Sequence, residues 1–299
     1  MQAPRQTVSR GQWDPPGFVL AMLGLALLSP AYAHAQAQSF PHGTVRLVAE
    51  SSAIQAAHDF SVALHFSLED GWHTYWINPG DSGEAPRVTW TLPPGVNAGP
   101  IQWPAPEHLG SASVVDYGYK NEMTLLVPMH ASASLSAQAP LMLSASVRVL
   151  VCKDICVPGK VQVSLALPVT ARPPVADQAE RSLFTTARAR LPHAAPANWR
   201  FTATEEKDSF VLSAQVGKRV DQAYFYPLEE SQIQGSVQQP VIPGADGFSL
   251  RLRKSEQLTK PIVRLTGVLQ LSDRAYAVDA AVVRSASKGS TQSRWDSSL

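Results

Sequence analysis

Two runs of strict alternation meet at the only two cysteines of the chain, and this meeting constrains the fold more than any other feature. Leu141, Leu143, Ala145, Val147, Val149 and Val151 share one parity, while Met142, Ser144, Ser146, Arg148, Leu150 and Cys152 share the other. Successive side chains of a strand face opposite ways, so the stretch predicts a strand from which Cys152 leaves on the more polar face. A period of two resumes at Val161, Val163, Leu165 and Leu167. Cys152 and Cys156 are thereby placed in the connection of a hairpin, with Pro158-Gly159 as its turn chemistry.

Three chemistries suit such a pair. As a structural staple it would add little, because a cross-link over a short loop contributes about 2 kcal/mol against about 4.7 for a 100-residue loop. As a redox pair it gains from a tight connection, since a strained disulfide is more reducible. Lys153 would favour a thiolate and Asp154 would oppose it. As a metal site it falls short of the four ligands zinc needs, with no second Cys/His cluster close in sequence. Copper(I) could take the two thiolates with a methionine.

The charge balance is +1, from 25 Lys+Arg against 24 Asp+Glu, and gives no reason to expect nucleic acid or an acidic membrane surface. Only 16% of residues are charged and 44% are hydrophobic, the composition of a chain that buries a core. At 299 residues two domains are expected. Arg5 and Arg10 precede an apolar run at residues 17–28, which Ser29-Pro30 breaks. Ala31-Tyr32-Ala33, Ala33-His34-Ala35 and Ala35-Gln36-Ala37 then offer small-residue cleavage patterns. Residues 1–37 therefore read as an export signal, with cleavage expected between Ala33 and Gln38, and the run is too short to span a bilayer as a helix. No cysteine follows it closely, so no lipid anchor is expected, and an oxidising compartment would permit a disulfide.

Between residues 44 and 169 the reading is nearly all strand. Runs at 44–49, 60–68, 74–77, 87–92, 124–130, 141–151 and 160–168 are separated by turn signals such as Glu69-Asp70-Gly71 and Pro93-Pro94-Gly95. Seven or so short strands at that spacing predict an all-β, immunoglobulin-like sandwich over residues 42–170. Trp90 and Trp103 are expected in its core. His73 is expected at the surface. The stretch Asn78-Pro79-Gly80-Asp81-Ser82-Gly83 that follows cannot hold a regular strand, and could cover a reactive site. Residues 171–198 read as a linker with a short helix over 177–191. Residues 199–284 form a second, smaller β domain, with strands at 201–204, 210–215, 222–226, 247–253, 262–271 and 275–283. Residues 285–299 read as a Ser-rich flexible tail.

The motifs Gly71-Trp72-His73-Thr74-Tyr75-Trp76-Ile77-Asn78-Pro79-Gly80-Asp81-Ser82-Gly83, Ile101-Gln102-Trp103-Pro104-Ala105-Pro106, Tyr117-Gly118-Tyr119 and Val151-Cys152-Lys153-Asp154-Ile155-Cys156-Val157-Pro158 occur in this order. Together they resemble the N-terminal periplasmic region of the DsbD-type thiol:disulfide interchange proteins, nearest the branch called suppressor of copper sensitivity protein B. The resemblance covers roughly residues 42–283, with Ala223-Tyr224-Phe225-Tyr226-Pro227 and Leu265-Thr266-Gly267-Val268-Leu269 in the second region. It implies a periplasmic module whose Cys152–Cys156 disulfide is redox-active. A membrane thiol carrier of the DsbD/CcdA type would supply electrons, and periplasmic disulfide-containing proteins would receive them. Roles in cytochrome c biogenesis or copper tolerance go with that family. The family's cap loop maps onto residues 76–83, so Trp76, Asn78, Asp81, Tyr117 and Tyr119 are the expected cap or partner-binding residues. No cofactor and no metal are called for. These residues hold no multi-helix membrane region and no thioredoxin domain with C-x-x-C, so the donor is expected to be a separate protein. A copper-binding protein and an interaction module with an inert disulfide remain alternatives.

Overall fold

The computed structural model describes Gln2 and residues 36–284, apart from 111–113, 137–138 and 273. The expected export signal, but for Gln2, Gln36 and Ala37, and the expected tail at 285–299 lie outside the described residues.

The first β region comprises β1 (Gln38–Phe40), β2 (Gly43–Ala49), β3 (Ile54–Gln55), β4 (Asp59–Leu68), β5 (His73–Gly80), β6 (Arg87–Thr91) and β7 (Val96–Ala98). It continues through β8 (Glu107–Gly110), β9 (Val115–Lys120), β10 (Glu122–Ala131), β11 (Leu141–Cys152), β12 (Cys156–Leu167) and β13 (Val169–Thr170). Two sheets form a sandwich of the immunoglobulin-like kind. One runs β1-β2-β4-β10-β7 and the other β12-β11-β5-β9-β8, with β6 also on β11. The alternation read from the sequence is the burial pattern of β11: Leu143, Ala145, Val147, Val149 and Val151 point into the core, while Met142 and Arg148 are exposed. Val45, Leu47, Val62, Leu64, Leu125 and Val127 meet them from the opposite sheet. Each such side chain taken fully out of water contributes about 1.5–3 kcal/mol. Trp90 and Trp103 are partly buried against this core.

Two local expectations are corrected. Pro158 and Gly159 do not make the turn; both lie in β12, opposite Leu150 and Val149. β12 is an edge strand, where a residue without an N–H is tolerated. Gly159 leaves room for Phe40, which a Cβ would approach to 3.0 Å. The turn is Lys153-Asp154-Ile155, so that Cys152 and Cys156 face one another as the last ladder pair. Residues 78–80, expected to leave the sheet, remain in β5, but the register against β9 shifts between Tyr75 and Gly80. Tyr75 faces Gly118 and Gly80 faces Asp116, so extra residues on β5 arch over the ladder as a bulge.

The stretch after β13 is not a free linker. The helix expected over 177–191 occupies Arg181–Ala189 (α1), and ahead of it the Asp177 N–H donates to the Glu50 carbonyl. Phe184 and Ala187 cover Val48, Ala63 and Leu126 on the outer face of the first sheet. Arg46 pairs with Glu180 and Arg188 with Glu50 along its flank.

The second β region holds β14 (Arg200–Glu205), β15 (Ser209–Gln215), β16 (Ala223–Pro227), β17 (Val241–Pro243), β18 (Gly247–Arg253), β19 (Arg264–Leu271) and β20 (Arg274–Arg284). They form one sheet in the order β16-β19-β20-β14-β15-β18-β17. Phe210, Leu212, Phe225, Leu250, Leu252, Leu265 and Leu269 build its own core. Tyr226, Val268 and Ala275 instead join the core of the first region. The described residues from Gln36 to Arg284 belong to a single compact unit.

Candidate functional site

β11 changes partner along its length. β6 pairs with it from Ser144 to Arg148, and at its end Cys152 pairs with His73 of β5. Thr74 Oγ1 donates to the Leu150 carbonyl at 3.0 Å and holds the two strands together there. This brings β5 to the tip of the hairpin, where Cys152 and Cys156 form a disulfide with their Cα atoms 4.1 Å apart. Cys156 is exposed, as is Ile155 beside it at 67%, whereas Cys152 is only 3% exposed. The parity argument put Cys152 on the polar face, which holds, but that face is covered at this point by Tyr75.

Tyr75 is itself fully buried, and its hydroxyl donates to Cys152 Sγ at 2.8 Å while lying 3.7 Å from Cys156 Sγ. Burial and the nearby Asp116 carboxylate push its hydroxyl up to about 12, with a hydrogen bond to Ser82 working the other way. Ser82 Oγ donates to Asp116 Oδ1 at 2.7 Å, and His73 Nε2 lies 3.7 Å from Asp116 Oδ2. His73 is half-buried rather than a surface histidine, and its ring meets Tyr75 edge-on at 5.4 Å.

The irregular stretch after β5 packs against Tyr75 through Gly83. Gly83 has φ +88° and lies flat on the Tyr75 ring; a Cβ there would be 2.2 Å from two ring carbons. Gly83→Ala should therefore lower stability by about 1–3 kcal/mol from backbone strain alone. Urea unfolding measures it, and an unchanged midpoint would mean that residue 83 is not held in the left-handed region against Tyr75.

Burial lowers the His73 pKa below 6.5, with Asp116 opposing and Lys120 adding to the shift, and burial likewise lowers that of His65. The unfolded chain then binds more protons than the folded one below the ordinary histidine value. Stability is fully present above about pH 6.5 and is lost as pH falls through the folded-state values. Thermal unfolding should show a midpoint that declines from pH 6.5 towards pH 5, and a slope reduced in His65→Gln/His73→Gln. An equal slope in that variant would assign the acid sensitivity to other groups.

The five expected cap or partner-binding residues lie elsewhere. Trp76 is 1% exposed in the sandwich core, edge-on to Tyr226 at 6.3 Å. Asn78 Nδ2 donates to the carbonyls of Pro227 at 2.8 Å and Glu229 at 3.2 Å. Asp81 Oδ2 accepts the Val115 N–H at 2.9 Å. Tyr117 packs edge-on to Tyr226 at 5.1 Å, with its hydroxyl 3.3 Å from that of Tyr224. Tyr119 is buried and donates to the Pro104 carbonyl at 2.8 Å. Burial holds the Tyr117 and Tyr119 hydroxyls far above the ordinary phenol range. Trp76, Asn78 and Tyr117 thus form the seam between the two β regions, and Asp81 and Tyr119 brace it from within the first.

Tyr75, Ser82 and Asp116 escaped the sequence reading. The available signal was parity: His73 and Tyr75 share a face of β5, and Cys152 is the ladder partner of His73. Among the described residues no group of three or more His, Cys, Asp or Glu side chains could hold a metal ion.

Residues 44–168, the sandwich with both cysteines, match the family described as "Thiol:disulfide interchange protein DsbD, N-terminal". The fold is similar to the crystal structure of the N-terminal periplasmic domain of ScsB from Proteus mirabilis, with TM-score 0.65 and 19% identity over 84% of this chain and 98% of that one. A chimeric titin Z1Z2 functionalized with a KLER peptide from decorin reaches only TM-score 0.18, at 14% identity over 85% of this chain and 99% of that one. The periplasmic chaperone SfaE reaches 0.16, at 9% identity over 80% and 100%. Neither bears on the fold. No curated protein matches the chain in sequence.

Proposed function

We propose that this chain, whose residues 44–168 carry a domain of the DsbD N-terminal type, is a periplasmic thiol–disulfide exchange module. Electrons enter the Cys152–Cys156 pair from a membrane thiol carrier of the DsbD/CcdA type and leave to disulfides of periplasmic partner proteins. The observation that carries this reading is the unequal exposure of the two sulfurs, one open at a hairpin tip and the other beneath Tyr75. In the reduced protein the Cys156 thiolate attacks a partner disulfide and expels one partner sulfur. Cys152 then attacks Cys156, closes the disulfide and releases the reduced partner. The chemistry is sulfur for sulfur and uses no cofactor. Among the described residues no helix is long and apolar enough to cross a membrane. The ScsB domain of similar fold is periplasmic, and the leader-like sequence at residues 1–37 agrees with export.

Thiol trapping across a series of glutathione ratios tests this reading. The pair should equilibrate with glutathione at a potential above about −300 mV, in the range of exchanging pairs. A lower potential, or a bond that stays closed throughout, would make Cys152–Cys156 a structural link and remove the reading.

A further inference from the structure

We propose that the Tyr75 hydroxyl stabilises Cys152 as the leaving group whenever the exposed sulfur of Cys156 is attacked. The inference rests on the exchange reading and assigns a role to a residue that touches the reacting atoms.

Thiol–disulfide exchange needs an attacked sulfur and a sulfur that leaves with the electron pair. Accessibility fixes the first as Cys156, so the second is Cys152. A thiolate formed at a buried sulfur is costly unless a donor reaches it, because burial disfavours the charged form. Tyr75 supplies that donor, and it discriminates between the two sulfurs: its hydroxyl is 2.8 Å from Cys152 Sγ and 3.7 Å from Cys156 Sγ. The ring is fixed before any reaction begins. Gly83 lies on one side of it, the His73 edge meets it, and β5 carries it into the sheet. A preset donor in a dry site acts strongly on developing charge and has no reorganisation left to do.

The step balances without a proton transfer. A bond forms between the incoming thiolate sulfur and Cys156 Sγ, and the Cys152–Cys156 bond breaks. The electron pair stays on Cys152 Sγ, which keeps the Tyr75 O–H as its hydrogen-bond donor. The hydroxyl remains protonated through the range in which thiols exchange, since burial and Asp116 hold it up. The same contact serves the reverse direction, where Cys152 must become a thiolate to resolve the mixed disulfide. Other charged and titratable groups around the pair are His73 on β5, Asp116 and Lys120 on β9, and Lys153 and Asp154 in the turn. None of the hydrogen bonds seen among the described residues joins any of these five side chains to either sulfur.

A pure cover and a donor make opposite predictions for Tyr75→Phe, which keeps the ring and removes the hydroxyl. Reduction of the disulfide by dithiothreitol, followed by alkylation and mass shift, should slow by about tenfold, the effect of losing a hydrogen bond to a charged group. An equal or faster rate in the folded variant would make Tyr75 a lid only and overturn the proposal. A second measurement leaves Tyr75 untouched. In Cys156→Ser, Cys152 is the only thiol, and it should titrate no higher than the ordinary value of about 8.5 despite its burial. Adding Tyr75→Phe should raise it by about one unit. A thiol well above 8.5 with Tyr75 in place, or no change on its removal, overturns the proposal. If the folded wild type resists dithiothreitol altogether, the exchange reading falls and takes this inference with it. A wild type that exchanges beside an unaffected Phe variant removes only the inference.

Discussion

Cys152→Ser should accumulate a mixed disulfide in cells, and Cys156→Ser should accumulate none. The two cysteines differ in what each variant leaves behind. Cys152→Ser keeps the exposed sulfur at the hairpin tip and removes the buried one beneath Tyr75. Its Cys156 thiolate can still engage a partner disulfide, but nothing in the chain can then displace the partner. Cys156→Ser leaves a lone thiol that is 3% exposed, which a folded partner's disulfide cannot reach. The contrast should be all or nothing on acid-quenched, non-reducing gels. Reducible adducts with periplasmic proteins, and with a polytopic membrane protein on the electron-supply side, are expected for Cys152→Ser alone. Wild type that stays fully oxidised in cells, with neither variant giving an adduct, would return the pair to the status of a staple. Adducts from Cys156→Ser rather than Cys152→Ser would keep the exchange chemistry but reverse the two roles.

The sandwich was legible because its signal is local. Alternation along residues 141–151 and 161–167 dictates which side chains enter the core, and the structure buries those residues. β8 and β9 were not legible as strands. Glu107–Gly110 is short and mostly exposed, and the turn-like Tyr117-Gly118-Tyr119 pairs only because Gly118 lets the Thr74 carbonyl come within 2.0 Å of where a Cβ would sit. β17 is three residues and depends on its partner β18. For the site, sequence separates what the fold joins. The cysteine pair stood out because the chain has no other cysteine. Its cover did not, because the face Tyr75 takes is set by the pairing of Cys152 with His73, which joins strands far apart in sequence. Neighbouring residues in a strand point to opposite faces, and the family resemblance, which carries no register, mapped the cap onto residues 76–83, one residue past Tyr75. Asn78 and Tyr117 were singled out as functional surface. They serve the packing of the second β region, whose Pro227, Tyr224 and Tyr226 approach them from more than a hundred residues away.

That seam carries the largest expected loss of stability. Trp76→Ala should destabilise the protein by about 3–5 kcal/mol, the cost of deleting a large buried aromatic and leaving a cavity. Trp76 is 1% exposed and sits where both β regions share one core, edge-on to Tyr226. Its indole N–H has no hydrogen-bond partner among the described residues, so the loss is one of packing, and Trp76→Phe should recover most of it. The position also matters for the redox pair. β5 presents Tyr75 to Cys152, Trp76 to Tyr226 and Asn78 to the Pro227 and Glu229 carbonyls within a few residues. A cavity at Trp76 therefore loosens the strand that carries the disulfide's cover, and Trp76→Ala should expose Cys152 only together with this loss of stability. Tyr226→Ala removes the other half of the contact. Because the two rings share one cavity, the double variant should cost less than the sum of the singles by about 0.5–3 kcal/mol. Denaturant unfolding of the four proteins measures the cycle. A Trp76→Ala loss below about 1 kcal/mol would place the ring outside the core. Strict additivity with Tyr226→Ala would mean that the two β regions do not pack through this pair.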